Sequence, residues 1–124
     1  MPKKILIIDD DDRNIFALKA VLTAKQFTCI TATNGQQAIE LIKKENDIDV
    51  VLVDMMMPGM DGYELMSILK NMPEHNNLLL IAVTAQAMQG DKEKCIEAGA
   101  DAYISKPVDI DKLLDVIHNI SKEK

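Results

Sequence analysis

Short apolar runs alternate with amphipathic stretches along the whole chain. Ile5 to Ile8 is bounded by charge on both sides, the pattern of a strand buried on both faces. After it, Asp11 or Asp12 can cap a helix whose inner face carries Ile15, Leu18 and Leu22 at i, i+3, i+7 spacing. The couplet then recurs. Cys29 to Ala32 reads as a weaker strand ending at Asn34-Gly35, and Ala38, Leu41 and Ile42 mark a second helix running to about Asn46. Val50 to Val53 is the third strand, followed by an irregular Met-Pro-Gly-Met stretch and a helix with Leu65, Met66 and Leu69. Leu78 to Val83 is the fourth, and Met88 to Ala98 reads as a poorly amphipathic helix stopped by Gly99. Ala102 to Ser105 supplies the fifth strand. The last helix, from about Asp109, shows a complete stripe of Ile110, Leu113, Leu114 and Ile117.

Strand starts recur about every 21 to 28 residues, the length of a βα unit. Apolar strands without alternation imply a parallel sheet covered by helices on both faces, so the pattern predicts an α/β, doubly wound fold of five βα units.

Length and charge narrow the function. A chain of 124 residues, 48% hydrophobic, suits one domain over residues 1–124 with one core. A net charge of −6, with Arg13 the single arginine, argues against direct binding of nucleic acid or anionic lipid. Two tyrosines and two phenylalanines are too few for a base-stacking platform. No apolar run approaches the roughly 20 residues of a membrane span, and no signal-peptide core follows Met1, so no membrane insertion and a cytoplasmic location are expected. Cys29 and Cys95 stand alone, without metal-ligand spacing, and are expected to be buried structural thiols; His75 and His118 read as surface residues.

Ligands of a parallel α/β sheet bind beyond the carboxyl ends of its strands. The residues that follow the apolar runs are Asp9 and Asp10, then Asp54, Thr84 and Lys106. Three carboxylates at one edge repel one another unless a cation joins them. Oxygen ligands without Cys or His select Mg²⁺, with Mn²⁺ as the alternative. Asp54 closes the run Val50-Val51-Leu52-Val53, where an acid is costly unless it is used. A carboxylate there can act as a phosphoryl nucleophile, with Thr84 as hydroxyl donor and Lys106 as fixed cation on the phosphoryl oxygens. Asp11 and Asp12 are assigned to helix capping and solvent-facing charge. The remaining methionines read mostly as gap fillers.

Four ordered motifs carry a resemblance over essentially the whole chain. They are Ile5-Leu6-Ile7-Ile8-Asp9-Asp10, Asp54-Met55-Met56-Met57-Pro58-Gly59-Met60-Asp61-Gly62, Val83-Thr84-Ala85, and Gly99-Ala100-Asp101-Ala102-Tyr103-Ile104-Ser105-Lys106-Pro107. In these the sequence resembles the receiver domain of bacterial two-component response regulators. The resemblance implies a flavodoxin-like three-layer fold of five strands and five helices, with strand order 2-1-3-4-5. It implies that Asp54 is the phosphoacceptor and that Asp9 and Asp10, with the backbone carbonyl of Met56, complete a Mg²⁺ site. Lys106 would pair with the phosphate across a cis Lys106-Pro107 bond, and Thr84 and Tyr103 would form the switch that reports phosphorylation. The implied partners are a histidine kinase or histidine phosphotransfer protein, an unidentified downstream protein, and, on phosphorylation, a second copy of the chain. The face of the fourth helix, fifth strand and fifth helix is the expected output surface. Such a domain assists its own phosphorylation and dephosphorylation but turns over no external metabolite.

Other readings compete. An aspartyl-phosphate phosphatase wants a second Asp two residues after the nucleophile, where this chain has Met56, and a cap for which 124 residues leave no room. A flavodoxin-like nucleotide binder wants Gly, Ser and Thr after the first strand, where Asp9 to Asp12 would repel phosphate. A receiver without phosphotransfer is opposed by the complete set of Asp9, Asp10, Asp54, Thr84 and Lys106. A free-standing regulator is suggested by Met1 and the short tail; a receiver from a hybrid histidine kinase is suggested by Asp12-Arg13-Asn14 and Met88-Gln89-Gly90-Asp91.

Overall fold

A computed structural model describes residues 3–45, 47–57, 59, 61–73, 78–84 and 91–123, with backbone only at 91–92 and 120–123. The elements follow in strict alternation: β1 (Lys4–Ile8), α1 (Asp12–Ala24), β2 (Thr28–Ala32), α2 (Gly35–Lys44), β3 (Val50–Asp54), α3 (Gly62–Lys70), β4 (Leu79–Thr84), α4 (Asp91–Ala98), β5 (Ala102–Ser105) and α5 (Ile110–Glu123). All strand pairs are parallel, in the order β2-β1-β3-β4-β5. This is the expected flavodoxin-like, doubly wound topology. The succession of strands reverses between β1 and β3, and a crevice opens at such a reversal.

Why the strands read as unbroken apolar runs is visible in the two halves of the core. Alternate residues point to opposite faces of a sheet. Leu6, Ile8, Val51, Val53, Leu80 and Ala82 pack with Ala38 and Ile42 of α2, with Leu65, Met66 and Leu69 of α3, and with Cys95 of α4. Ile5, Ile7, Val50, Leu52, Leu79 and Ile81 pack against Ile15 and Leu22 of α1 and Leu113 and Ile117 of α5. Each fully buried side chain of this size contributes about 1.5–3 kcal/mol, so both helical layers are strongly held.

The ends of the elements refine the sequence reading. β3 and β4 run one residue past their apolar stretches, because Asp54 stays in register with Val83 and Thr84 with Ser105. The two polar residues are therefore last rungs of the ladder, held by strand geometry and not by a loop. Leu78 is buried but precedes β4. Asp11, not Asp12, caps α1, its side chain accepting the Arg13 N–H at 2.9 Å. Asp109 accepts from the Asp111 and Lys112 N–H groups at 3.0 and 3.3 Å, so α5 begins at Ile110. α2 ends at Lys44, where the Glu45 N–H closes the helix on Leu41 O at 2.7 Å. Asn46, His75 and the segment Met88 to Gly90 lie outside the described residues.

Cys29 departs from its expected burial. It sits on β2 at the sheet edge and is half-buried, whereas Cys95 is fully enclosed. Partial burial pushes the Cys29 thiol up, offset in part by a hydrogen bond with Thr23 and by the charge of Lys19.

Candidate functional site

Three strand ends deliver polar side chains to the same edge of the sheet. Asp9 follows β1, held there by its N–H bond to Ala32 O of β2 at 3.1 Å. Asp54 ends β3, and the next amide, Met55 N–H, continues the ladder to Val83 O at 2.9 Å. Thr84 ends β4 beside Ser105, and the Lys106 N–H extends that pairing to Thr84 O at 2.7 Å. Asp9, Asp54 and Thr84 are only 3%, 4% and 4% exposed, and they are the buried polar residues of the described chain. Such residues need partners.

The partners converge. The Lys106 ammonium lies 3.5 Å from Asp9 Oδ2 and 3.6 Å from Asp54 Oδ2, bridging two acids that would otherwise repel. Asp9 Oδ1 accepts the Asp11 N–H at 2.9 Å, and Asp9 Oδ2 accepts Asn14 Nδ2 at 3.4 Å. Asp54 Oδ1 accepts the Met56 N–H at 3.0 Å. Asp10 is exposed, yet one carboxylate oxygen each of Asp9, Asp10 and Asp54 lie within 4.8 Å of one another.

That cluster passes a chemical test for a hard divalent ion. Its ligands are oxygens alone, two buried and one open to solvent, which suits an ion that keeps part of its water shell. Electrostatics point the same way. Burial is the main force holding the Asp54 carboxyl above the usual carboxylate range, opposed by the Met56 N–H. The charge of Asp9 pushes it further up, and Lys106 pulls it back. A single ammonium does not offset both carboxylates, and a divalent cation would complete the compensation.

Other singled-out residues fall as follows. The Lys106-Pro107 bond is cis. The Met56 side chain is 67% exposed, in contrast to the buried Met55 and Met57 on either side. Tyr103 is half-buried on β5, paired in register with Ala82 and packed on the α2–α4 side of the sheet. Thr84 follows Ala82 by two residues, so strand alternation puts Thr84 and Tyr103 on the same face.

Two contributors were not legible as site residues. Asn14 sits one turn into α1 and reaches back to Asp9; its signal is its position five residues after a strand-end acid, on a helix that starts over that strand. Gly62 opens α3 against the Asp54–Met55 backbone, a closeness that spacing alone does not reveal. Beside the acids, a groove of about 500 Å³ is lined by Asp9, Asn14 and Lys106 together with Leu18, Val21, Pro107, Val108 and Ile110.

Comparison with known proteins gives a consistent result. The sequence profile of the response regulator receiver domain matches residues 5–118. The polar-differentiation response regulator DivK of Brucella anthropi is 34% identical over 117 residues, 94% of each chain. A putative response regulator from Chloroflexus aurantiacus superposes with a TM-score of 0.89 at 32% identity, covering 97% of this chain and 98% of that one. The receiver domain of sensor histidine kinase PA1611 from Pseudomonas aeruginosa, solved with a magnesium ion coordinated in its active-site cleft, gives 0.85 at 27% identity, covering 96% and 97%.

Proposed function

Because this chain belongs to the response regulator receiver domain family, a family of two-component signalling domains, we propose that it accepts a phosphoryl group on Asp54 from a phosphohistidine. The donor is a histidine kinase or a histidine phosphotransfer protein. The observation that carries this reading is the placement of one lysine, Lys106, within 3.6 Å of two buried strand-end acids that share an edge with Asp10.

Asp54 is the nucleophile. One of its carboxylate oxygens bonds to phosphorus while the P–N bond breaks, and that electron pair goes to the imidazole nitrogen, which takes up a proton. Asp9, Asp10 and Asp54 would hold Mg²⁺, with the Met56 carbonyl as a further ligand and Mn²⁺ as a substitute. When bound, the ion supplies charge neutralisation for the phosphoryl oxygens. Lys106 offers a compact ammonium to another oxygen, and the Thr84 hydroxyl donates to a third. The Met56 N–H on Asp54 Oδ1 keeps the carboxylate in one orientation before the donor arrives.

The donor's approach is favoured on the α1 side. The groove beside Asp9 and Lys106 is mainly apolar, and Leu18 and Val21 of α1 line it. A helix carrying the phosphohistidine fits such a surface. Among the described residues no helix is long and apolar enough to cross a membrane. The cytoplasm, where histidine kinases present their phosphohistidine, is the corresponding location.

Among the described residues, nothing in the site favours a phosphatase. The position two residues after Asp54 is a largely exposed thioether, which can neither donate nor accept the proton that such chemistry needs. A single-domain regulator and a receiver belonging to a sensor kinase both resemble the chain, so both settings are compatible with the proposal.

Incubation with acetyl phosphate and Mg²⁺, followed by intact mass, tests the reading. One phosphoryl adduct on the wild type and none on Asp54→Asn is expected. An unmodified wild type, or an adduct that survives the substitution, overturns it.

A further inference from the structure

The first residue of α3 touches the backbone that carries the nucleophile. A Cβ placed on Gly62 would collide with Met55 Cα, lie 2.6 Å from Met55 Sδ and lie 2.8 Å from the Asp54 carbonyl oxygen. The sulfur can swing away; the two backbone atoms cannot without moving the chain. The Gly62 N–H also faces Met55 O at 3.4 Å, so the helix terminus sits directly on the peptide that follows Asp54.

The helix is not free to retreat. Leu65, Met66 and Leu69 fix α3 in the core, and the Asp61 side chain caps it by accepting the Glu64 N–H at 2.9 Å. Pressure from a side chain at position 62 therefore falls on the Asp54–Met55 peptide. One residue further on, the Met56 N–H holds Asp54 Oδ1, so displacement of that peptide is passed to the carboxylate itself. Gly59 differs in kind: it has φ +79 with nothing within 4 Å of its Cβ position, a requirement of backbone conformation and not of contact.

We propose that Gly62 is a positioning residue for phosphoryl acceptance: having no Cβ, it lets α3 seat on the Asp54–Met55 peptide and so fixes the Met56 N–H bond that aims the Asp54 carboxylate. The inference rests on Asp54 being the phosphoacceptor, and the test separates the two. Wild type must first take up one phosphoryl group from acetyl phosphate on Asp54; failure at that step removes the phosphoacceptor reading itself.

Given that result, Gly62→Ala is compared with Leu69→Ala, which weakens the same helix without touching the loop. Two readouts are followed: the phosphorylation rate at saturating Mg²⁺ and donor, per folded molecule, and the Met56 amide resonance of the metal-free protein. Gly62→Ala is expected to slow the rate at least tenfold and to shift the Met56 resonance, while Leu69→Ala changes neither. The double variant Gly62→Ala/Met55→Ala removes the sulfur and some crowding but leaves both backbone collisions, so it should fold more readily and still show the slow rate and shifted resonance. A wild-type rate and Met56 resonance in either folded Gly62 variant overturns the proposal.

Discussion

Lys106 and Asp54 illustrate how single residues set the chemistry. Lys106 reaches both buried acids, so its removal leaves them facing each other without the ammonium that bridges them. Lys106→Ala is expected to slow phosphorylation of Asp54 by about 10²-fold, the scale of losing one fixed charge-stabilising donor, measured at saturating acetyl phosphate and Mg²⁺. Asp54 carries the opposite sign for stability. Its carboxyl is held above the usual range mainly by burial and also by Asp9, so the folded state keeps a proton that the unfolded chain has lost. Stability is therefore lost as pH rises from the ordinary carboxylate value through the raised one, and the ionised pair is a net cost above it. Metal-free Asp54→Asn should melt several degrees higher than wild type near neutral pH, at about 4 °C for each 1 kcal/mol, and the gap should close as pH falls. Equal melting temperatures across pH would contradict the electrostatic picture.

Elements were legible in the sequence where burial was two-sided. Ile5 to Ile8, Val50 to Val53 and Leu78 to Val83 stand out because β1, β3 and β4 are the central strands, covered on both faces. β2 gave a weaker signal because it is an edge strand with partly exposed positions. The strand-end acids were legible for the same reason, as charges interrupting apolar runs. What could not be read were contacts made across the fold. The reach of Asn14 to Asp9 and the pressure of Gly62 on Met55 depend on how helices lie over the sheet, which periodicity does not fix. α4 was read as weakly anchored, and among its described side chains only Cys95 is buried while Ile96 is exposed. An element with one buried side chain among those described can shift at small cost. Thr84 and Tyr103 share the face of β4 and β5 that α4 covers, and the α4–β5–α5 side is the output surface proposed for this chain. Phosphorylated protein should show altered amide exchange there, with β1 and β2 unchanged. Identical exchange on both sides would remove the switch.

Over the whole molecule, the net charge of −6 says little by itself; its distribution matters more. Asp9, Asp10 and Asp54 concentrate negative charge at one end of the sheet, so binding of a divalent ion should stabilise the entire fold by linkage. At a hundred times its dissociation constant the gain is about 2.7 kcal/mol, read as a rise in Tm that EDTA reverses and Asp9→Asn greatly reduces. A Tm indifferent to Mg²⁺ would leave the acid cluster without its proposed ion. The chemistry proposed at Asp54 has a covalent signature. An acyl phosphate is reduced by borohydride to an alcohol, which converts the modified aspartate to homoserine and marks its position in a peptide mass map. After phosphorylation in Mg²⁺, homoserine should appear at position 54 alone and vanish when EDTA is present during the reaction. Homoserine at another aspartate, or a phosphoryl group found on a side chain other than a carboxylate, would contradict the assignment of Asp54 as the phosphoacceptor.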